Sequence, residues 1–174
     1  METIVINDLT KIKSLTDNMI NALIEAGVYC LEDSKHLSGI NTKLKGDKTD
    51  DYEIKWNSSC NKLAVFSWGE EVIEWAAVAI SILVATKITG YTAVERAMRG
   101  TGIDYWLGNF DDRALIFEQK ERLEISGIKK GDDSAIKQRV NNKKKQTNQS
   151  ASSKKPAHVL VVEFSRPEVN YAKN

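Results

Sequence analysis

Apolar side chains recur at helical spacing through SLTDNMINALIEAGVYCLED, residues 14–33, where Met19, Ile20, Leu23, Ile24, Val28 and Leu31 share one side and predict an amphipathic helix. The most apolar run, WAAVAISILVAT at 75–86, has little polar face. With Val72, Ile73, Ala76, Ala77, Ile80, Leu83 and Val84 it predicts an enclosed core helix. Ser67 and Glu70 have the spacing of a capping box at its start, and Gly90 offers a stop. YTAVERAMRG repeats the signal, with Thr92 and Glu95 spaced as a capping box and Gly100 at the end, so a second short helix is expected over 91–100. Between the first two helices, 38–51 is rich in Gly, Lys and Asp and is expected to be a loop, while YEIKWN and KLAVFSW suggest a hairpin.

Beyond Gly100 the period changes from helix to strand. IDYWLG and LIFEQKERLEISGI alternate or run apolar, and NFDDRA between them has the composition of a tight turn. KKGDDSAIKQRVNNKKKQT predicts a helix capped by Asp132 or Asp133. The basic, Ser-rich segment 143–156 predicts a mobile loop. HVLVVEFSRP has four successive apolar residues from Val159 to Val162, as a strand buried on both faces does. The expected class is therefore α/β. A helical and loop or hairpin extension over 1–60 precedes a core over 61–174 of helix, two or three antiparallel strands, helix and strand.

A chain of 174 residues, 41% of them hydrophobic, fits one domain with a real core. Charged residues nearly cancel to +1, so no global field announces a nucleic-acid or membrane partner and any such partner must be met by local patches. Cys30 and Cys60 form no CxxC pair, which favours reduced thiols and a cytoplasmic protein. The N-terminus lacks a secretory signal, and the apolar run of about a dozen residues falls short of the roughly 20 that cross a bilayer. His36 and His158 are isolated, and His158 is expected to be a packing residue. Trp56, Trp68, Trp75 and Trp106 have no closely interleaved cations, and core or edge roles are expected for them rather than base stacking.

The candidate chemistry lies in GTGIDYWLG and ERLEISGI. A period of two puts Arg122, Glu124 and Ser126 on one face of a strand and Leu123 and Ile125 on the other. A glutamate between Leu and Ile on a central strand is costly unless paired or metal-bound. The plain alternatives are a salt bridge from Glu124 to Arg122 or Arg113, backbone hydrogen bonding by Asp104 at a loop edge, and capping by Glu95.

The order of elements from residue 69 to about 166 resembles the core of the PD-(D/E)xK, or restriction-endonuclease-like, nuclease superfamily. The motif positions of that family fall on Glu95, Asp104, Glu124 and Ser126. No proline precedes Asp104, and Ser126 stands where the family has lysine. The resemblance implies a metal-dependent nuclease hydrolysing DNA or RNA, DNA first. Asp104, Glu124 and the Ile125 carbonyl would hold Mg²⁺ or Mn²⁺, Glu95 would assist, and Ser126 with a helix lysine, Lys137 for preference, would position water. Lys120, four residues from Glu124 along the strand, is about 13 Å away and too far. Gln138, Arg139, Lys143, Lys144 and Lys145 are the expected nucleic-acid contacts, through phosphates. A looser similarity of GTGIDYWLG, RLEISGI and VVEFSRP is to small bacterial proteins of defence or mobile-element settings. The alternative is a non-catalytic subunit of the same fold that binds nucleic acid, or a protein partner through the N-terminal helix, as a dimer or part of a larger complex.

Overall fold

Every residue of Ala157–Glu163 is buried, so this strand has neighbours on both edges and layers on both faces. The computed structural model describes residues 1–111 and 116–174. In chain order the elements are β1 (Glu2–Val5), a 3-10 turn (Ile6–Lys11), α1 (Asp17–Asp33), β2 (Ile40–Gly46), β3 (Asp50–Lys55), α2 (Lys62–Phe66) and α3 (Glu71–Thr89). There follow β4 (Ala93–Arg96), β5 (Tyr105–Asp111), β6 (Ile116–Ile128), α4 (Asp133–Thr147), a second 3-10 turn (Asn148–Ser153), β7 (Ala157–Glu163) and β8 (Glu168–Lys173). The strands form one eight-stranded sheet in the order β1-β3-β2-β8-β7-β6-β5-β4. β4, β5 and β6 are antiparallel neighbours, while β6 and β7 run parallel.

Alternation along β6 and β7 sorts the two layers. Leu123, Ile125, Leu160 and Val162 join the core that includes α1 and α3, whereas Val159 and Val161 pack with Val140 of α4 on the other face. The helix α3 is enclosed as its composition requires, with ten buried residues, and ends at Gly90 in the left-handed region (φ 77°) with its N–H bonded to the Thr86 carbonyl. By length and composition alone α3 could cross a membrane, but 56% of its apolar window is buried inside the protein. The apolar side of α1 is covered by the same layer, leaving Met19 its one large hydrophobic exposed at 41%.

Several local expectations are overturned. Residues 93–96 form β4 rather than a helix, because pairing with β5 at Ala93–Gly108 and Arg96–Tyr105 outweighs the capping-box spacing. Glu95 is therefore a strand residue. Ser67 closes the short α2, within what looked like a strand, and α3 starts at Glu71 without a side-chain cap. The expected loop at 38–51 contains β2, which forms the hairpin with β3 and also pairs with β8. The basic segment 143–156 is not a loop: α4 continues to Thr147 and passes into the second 3-10 turn, where the buried Arg122 donates to the Thr147 and Lys155 carbonyls at 2.8 Å and to Ser150 Oγ at 3.1 Å. The turn expected at 109–114 lies partly outside the described residues.

Candidate functional site

Two close approaches, each at a glycine, build the site. Gly102, at φ 70°, lets the loop before β5 lie against the last turn of α4: a Cβ there would sit 2.1 Å from the Gln146 carbonyl oxygen. Gly127 on β6 does the same for α3, since its Cβ would sit 2.5 Å from the Ile73 oxygen. The first brings Asp104 to α4, and the second brings the first turn of α3 down onto β6.

Asp104 stands just before β5, where the ladder to β6 begins. Its N–H bonds the Leu123 carbonyl at 2.9 Å, and its Oδ2 accepts the Ile125 N–H at 2.9 Å, so the carboxylate fills a ladder position that the chain has not yet supplied. Arg96 of β4 donates to Oδ1 at 3.3 Å. The backbone-binding role weighed for Asp104 is thus present, alongside a carboxylate that remains 27% exposed.

Glu124 is fully buried on the α4 face. Its Oε1 accepts from Lys143 at 2.5 Å and from Gln146 at 3.0 Å, both on α4, while Oε2 has no partner. Burial first, and then the Asp104 carboxylate within hydrogen-bonding reach, push its carboxyl up to about 7 against the lowering effect of Lys143. An orphaned, buried carboxylate oxygen beside a second carboxylate suits a proton shared between the two. Arg122 does not pair with Glu124; its guanidinium goes to carbonyls, and Arg113 lies outside the described residues.

Ser126 shares the Glu124 face, as the period of two predicts, and accepts from Arg139 at 2.7 Å. Asp104, Ser126, Arg139, Lys143 and Arg96 open on one cleft of about 340 Å³, which is also lined by Met19 and Leu23 of α1 and by Glu74, Trp75 and Val78 of α3. Glu95 points elsewhere and accepts from Gln119 at 2.7 Å. Lys137 borders a separate depression with Lys45 and Glu168. Ile125 meets Asp104 through its amide rather than its carbonyl. Gln138 and Lys145 are exposed on α4, and the Lys144 carbonyl accepts from Thr147 and Asn174.

The sequence pointed to a helix lysine but to the wrong one. Lys143 and Gln146 are one turn apart and face Glu124 together, a pairing visible in the spacing only once the helix is known to run to Thr147. Glu74, four residues before Val78 and so on its side of α3, also lines the cleft, although its sequence context carries no sign of it. His158 is buried on the opposite face, between Glu121 and the Tyr171 hydroxyl, in the packing role expected of it.

No group of three or more His, Cys, Asp and Glu side chains among the described residues is placed to hold a metal ion, so the candidate rests on the Asp104–Glu124 pair. Comparison with protein-family models, with curated proteins and with solved structures gave no match.

Proposed function

We propose that the chain is a metal-dependent nuclease of restriction-endonuclease-like fold, acting on phosphodiester bonds of DNA or RNA in the reducing cytoplasm. The observation that carries this reading is the unpartnered Oε2 of a fully buried Glu124 beside the Asp104 carboxylate, with Lys143 on the other oxygen. The order α3, β4, β5, β6, α4, β7 and the parallel β6–β7 pair support the fold assignment.

The donor set suits a hard divalent ion. Asp104 and Glu124 would offer carboxylate oxygens, and Mg²⁺ or Mn²⁺ takes a few such ligands and keeps water for the rest. When bound, the ion supplies charge stabilisation at the phosphate and a more acidic water. Lys143 restores the cation missing at Ser126: it holds Glu124 Oε1 and is placed to orient a water beside it. Arg96 and Arg139 at the mouth provide guanidinium groups for the non-bridging phosphate oxygens.

One observation favours the non-catalytic alternative, namely that Lys143 already covers a carboxylate with no exposed surface. Manganese titration with parallel cleavage assays separates the two. The nuclease reading expects Mn²⁺ binding and cleavage in the native protein, both lost in Glu124→Gln with the fold intact. Cleavage that survives Glu124→Gln and Asp104→Asn would reject the site.

A further inference from the structure

We propose that the cleft takes an unpaired nucleotide, with the Trp75 indole stacking on the base beside the bound phosphate, so that single strands are the preferred substrate. The inference rests on the cleft being a phosphodiester site, as above, and goes beyond it in naming the strand state and the residue that selects it.

In sequence Trp75 is far from any cation. In the fold it lines the same cleft as Arg96, Arg139 and Lys143, with 37% of its surface exposed. Trp68 packs edge-on against it, ring centroids 5.6 Å apart and planes at 73°, which fixes the orientation of the indole. Tyr105, which also lines the cleft, is buried and has Arg96 4.9 Å over its ring, which leaves Trp75 as the exposed aromatic surface there. An aromatic face beside a cluster of cations is the arrangement that holds single strands: cations bind the backbone, and the ring accepts any base because every base has a π-face.

A duplex cannot use this wall. Its bases are covered by their stacked neighbours and reach an aromatic side chain only when unpaired or flipped out. The volume points the same way, since about 340 Å³ lies at the small end of the roughly 300–1,000 Å³ of ligand pockets and suits one nucleotide rather than two paired strands. Met19 and Leu23 of α1 narrow the entrance from the helical side.

The test measures binding without turnover. Fluorescein-labelled oligothymidylate and a hairpin duplex of equal length are titrated with protein in EDTA, and anisotropy is read for the native chain, Trp75→Phe and Trp75→Ala. The native chain is expected to prefer the single strand by about tenfold or more; Trp75→Ala loses about tenfold on the single strand alone, and Trp75→Phe retains most of the affinity. As a second readout that does not depend on the alanine variant folding, oligothymidylate quenches indole emission in the native chain and much less so in Trp75→Phe. Equal affinity for the two ligands, or quenching unchanged in Trp75→Phe, overturns the proposal. Because no metal is present, the two readings fail separately. Single-strand binding without cleavage in Mn²⁺ sinks the nuclease and spares this inference, whereas duplex cleavage indifferent to Trp75 does the reverse.

Discussion

Replacing Glu124 with glutamine removes the charge and keeps the shape of a side chain that is wholly buried. Its carboxyl moves from 4.5 in the unfolded chain to about 7 in the folded one, chiefly through burial and then through Asp104. Below pH 4.5 both states hold the proton and the site adds no pH dependence. Between 4.5 and 7 the unfolded chain releases its proton first, so stability present at low pH is lost as the pH rises through the folded value. At about 1.36 kcal/mol per pH unit, the loss amounts to roughly 3 kcal/mol by pH 7 and is complete above it. Glutamine has no such penalty. Urea melts of native protein and Glu124→Gln at pH 4.5, 6, 7 and 8 should therefore show the variant gaining roughly 3 kcal/mol on the native protein across that range, with titrating groups other than Asp104 and Lys143, which interact with Glu124, cancelling in the difference. Saturating Mn²⁺ should close the gap at pH 8 by stabilising the native carboxylates alone. Two stability curves that run parallel from pH 4.5 to 8 would refute both the elevated carboxyl and the unfilled place beside it.

Three further outcomes follow from the same geometry. Lys143→Met removes the group that holds the Glu124 carboxyl down, so in the metal-free chain the pH range over which Glu124→Gln gains on its parent in urea melts should move to higher pH; an unmoved range would place the cation that acts on Glu124 elsewhere. Gly127→Ala forces a Cβ to within 2.5 Å of the Ile73 oxygen, and should cost about 1–3 kcal/mol in thermal melts. Arg122→Met strands the Thr147 and Lys155 carbonyls, at a cost of about 2–4 kcal/mol, and should open 148–155 to limited proteolysis before the rest of the chain unfolds.

Residues 14–33, 75–86, 116–128 and 157–163 were legible because their patterns are long, strongly periodic or uniformly apolar, and burial then acts in the direction the pattern indicates. The partition of β6, with Leu123 and Ile125 to one layer and Glu124 and Ser126 to the other, followed from the pleat alone. Short segments misled. VER at 94–96 carries a capping-box signal worth about 1 kcal/mol, which a strand neighbour overrides. The strands β1, β2 and β8 left little trace, since each is short and pairs with distant parts of the chain.

By itself, then, the sequence determined which side chains share a face, where the core helix runs, and that Asp104 and Glu124 are the acidic residues to watch. Only the tertiary structure decided which cation meets them. Lys137, Arg139 and Lys143 are equivalent as composition, but α4 crosses the sheet at one angle and that angle delivers Lys143 to Glu124, Arg139 to Ser126 and Lys137 to another depression. The same holds for Trp75 and Glu74, which enter the cleft because Gly127 lets α3 approach β6. Periodicity is a property of one segment, whereas a site is set by the contacts between segments, and those depend on where the chain has no side chain to keep its neighbours apart.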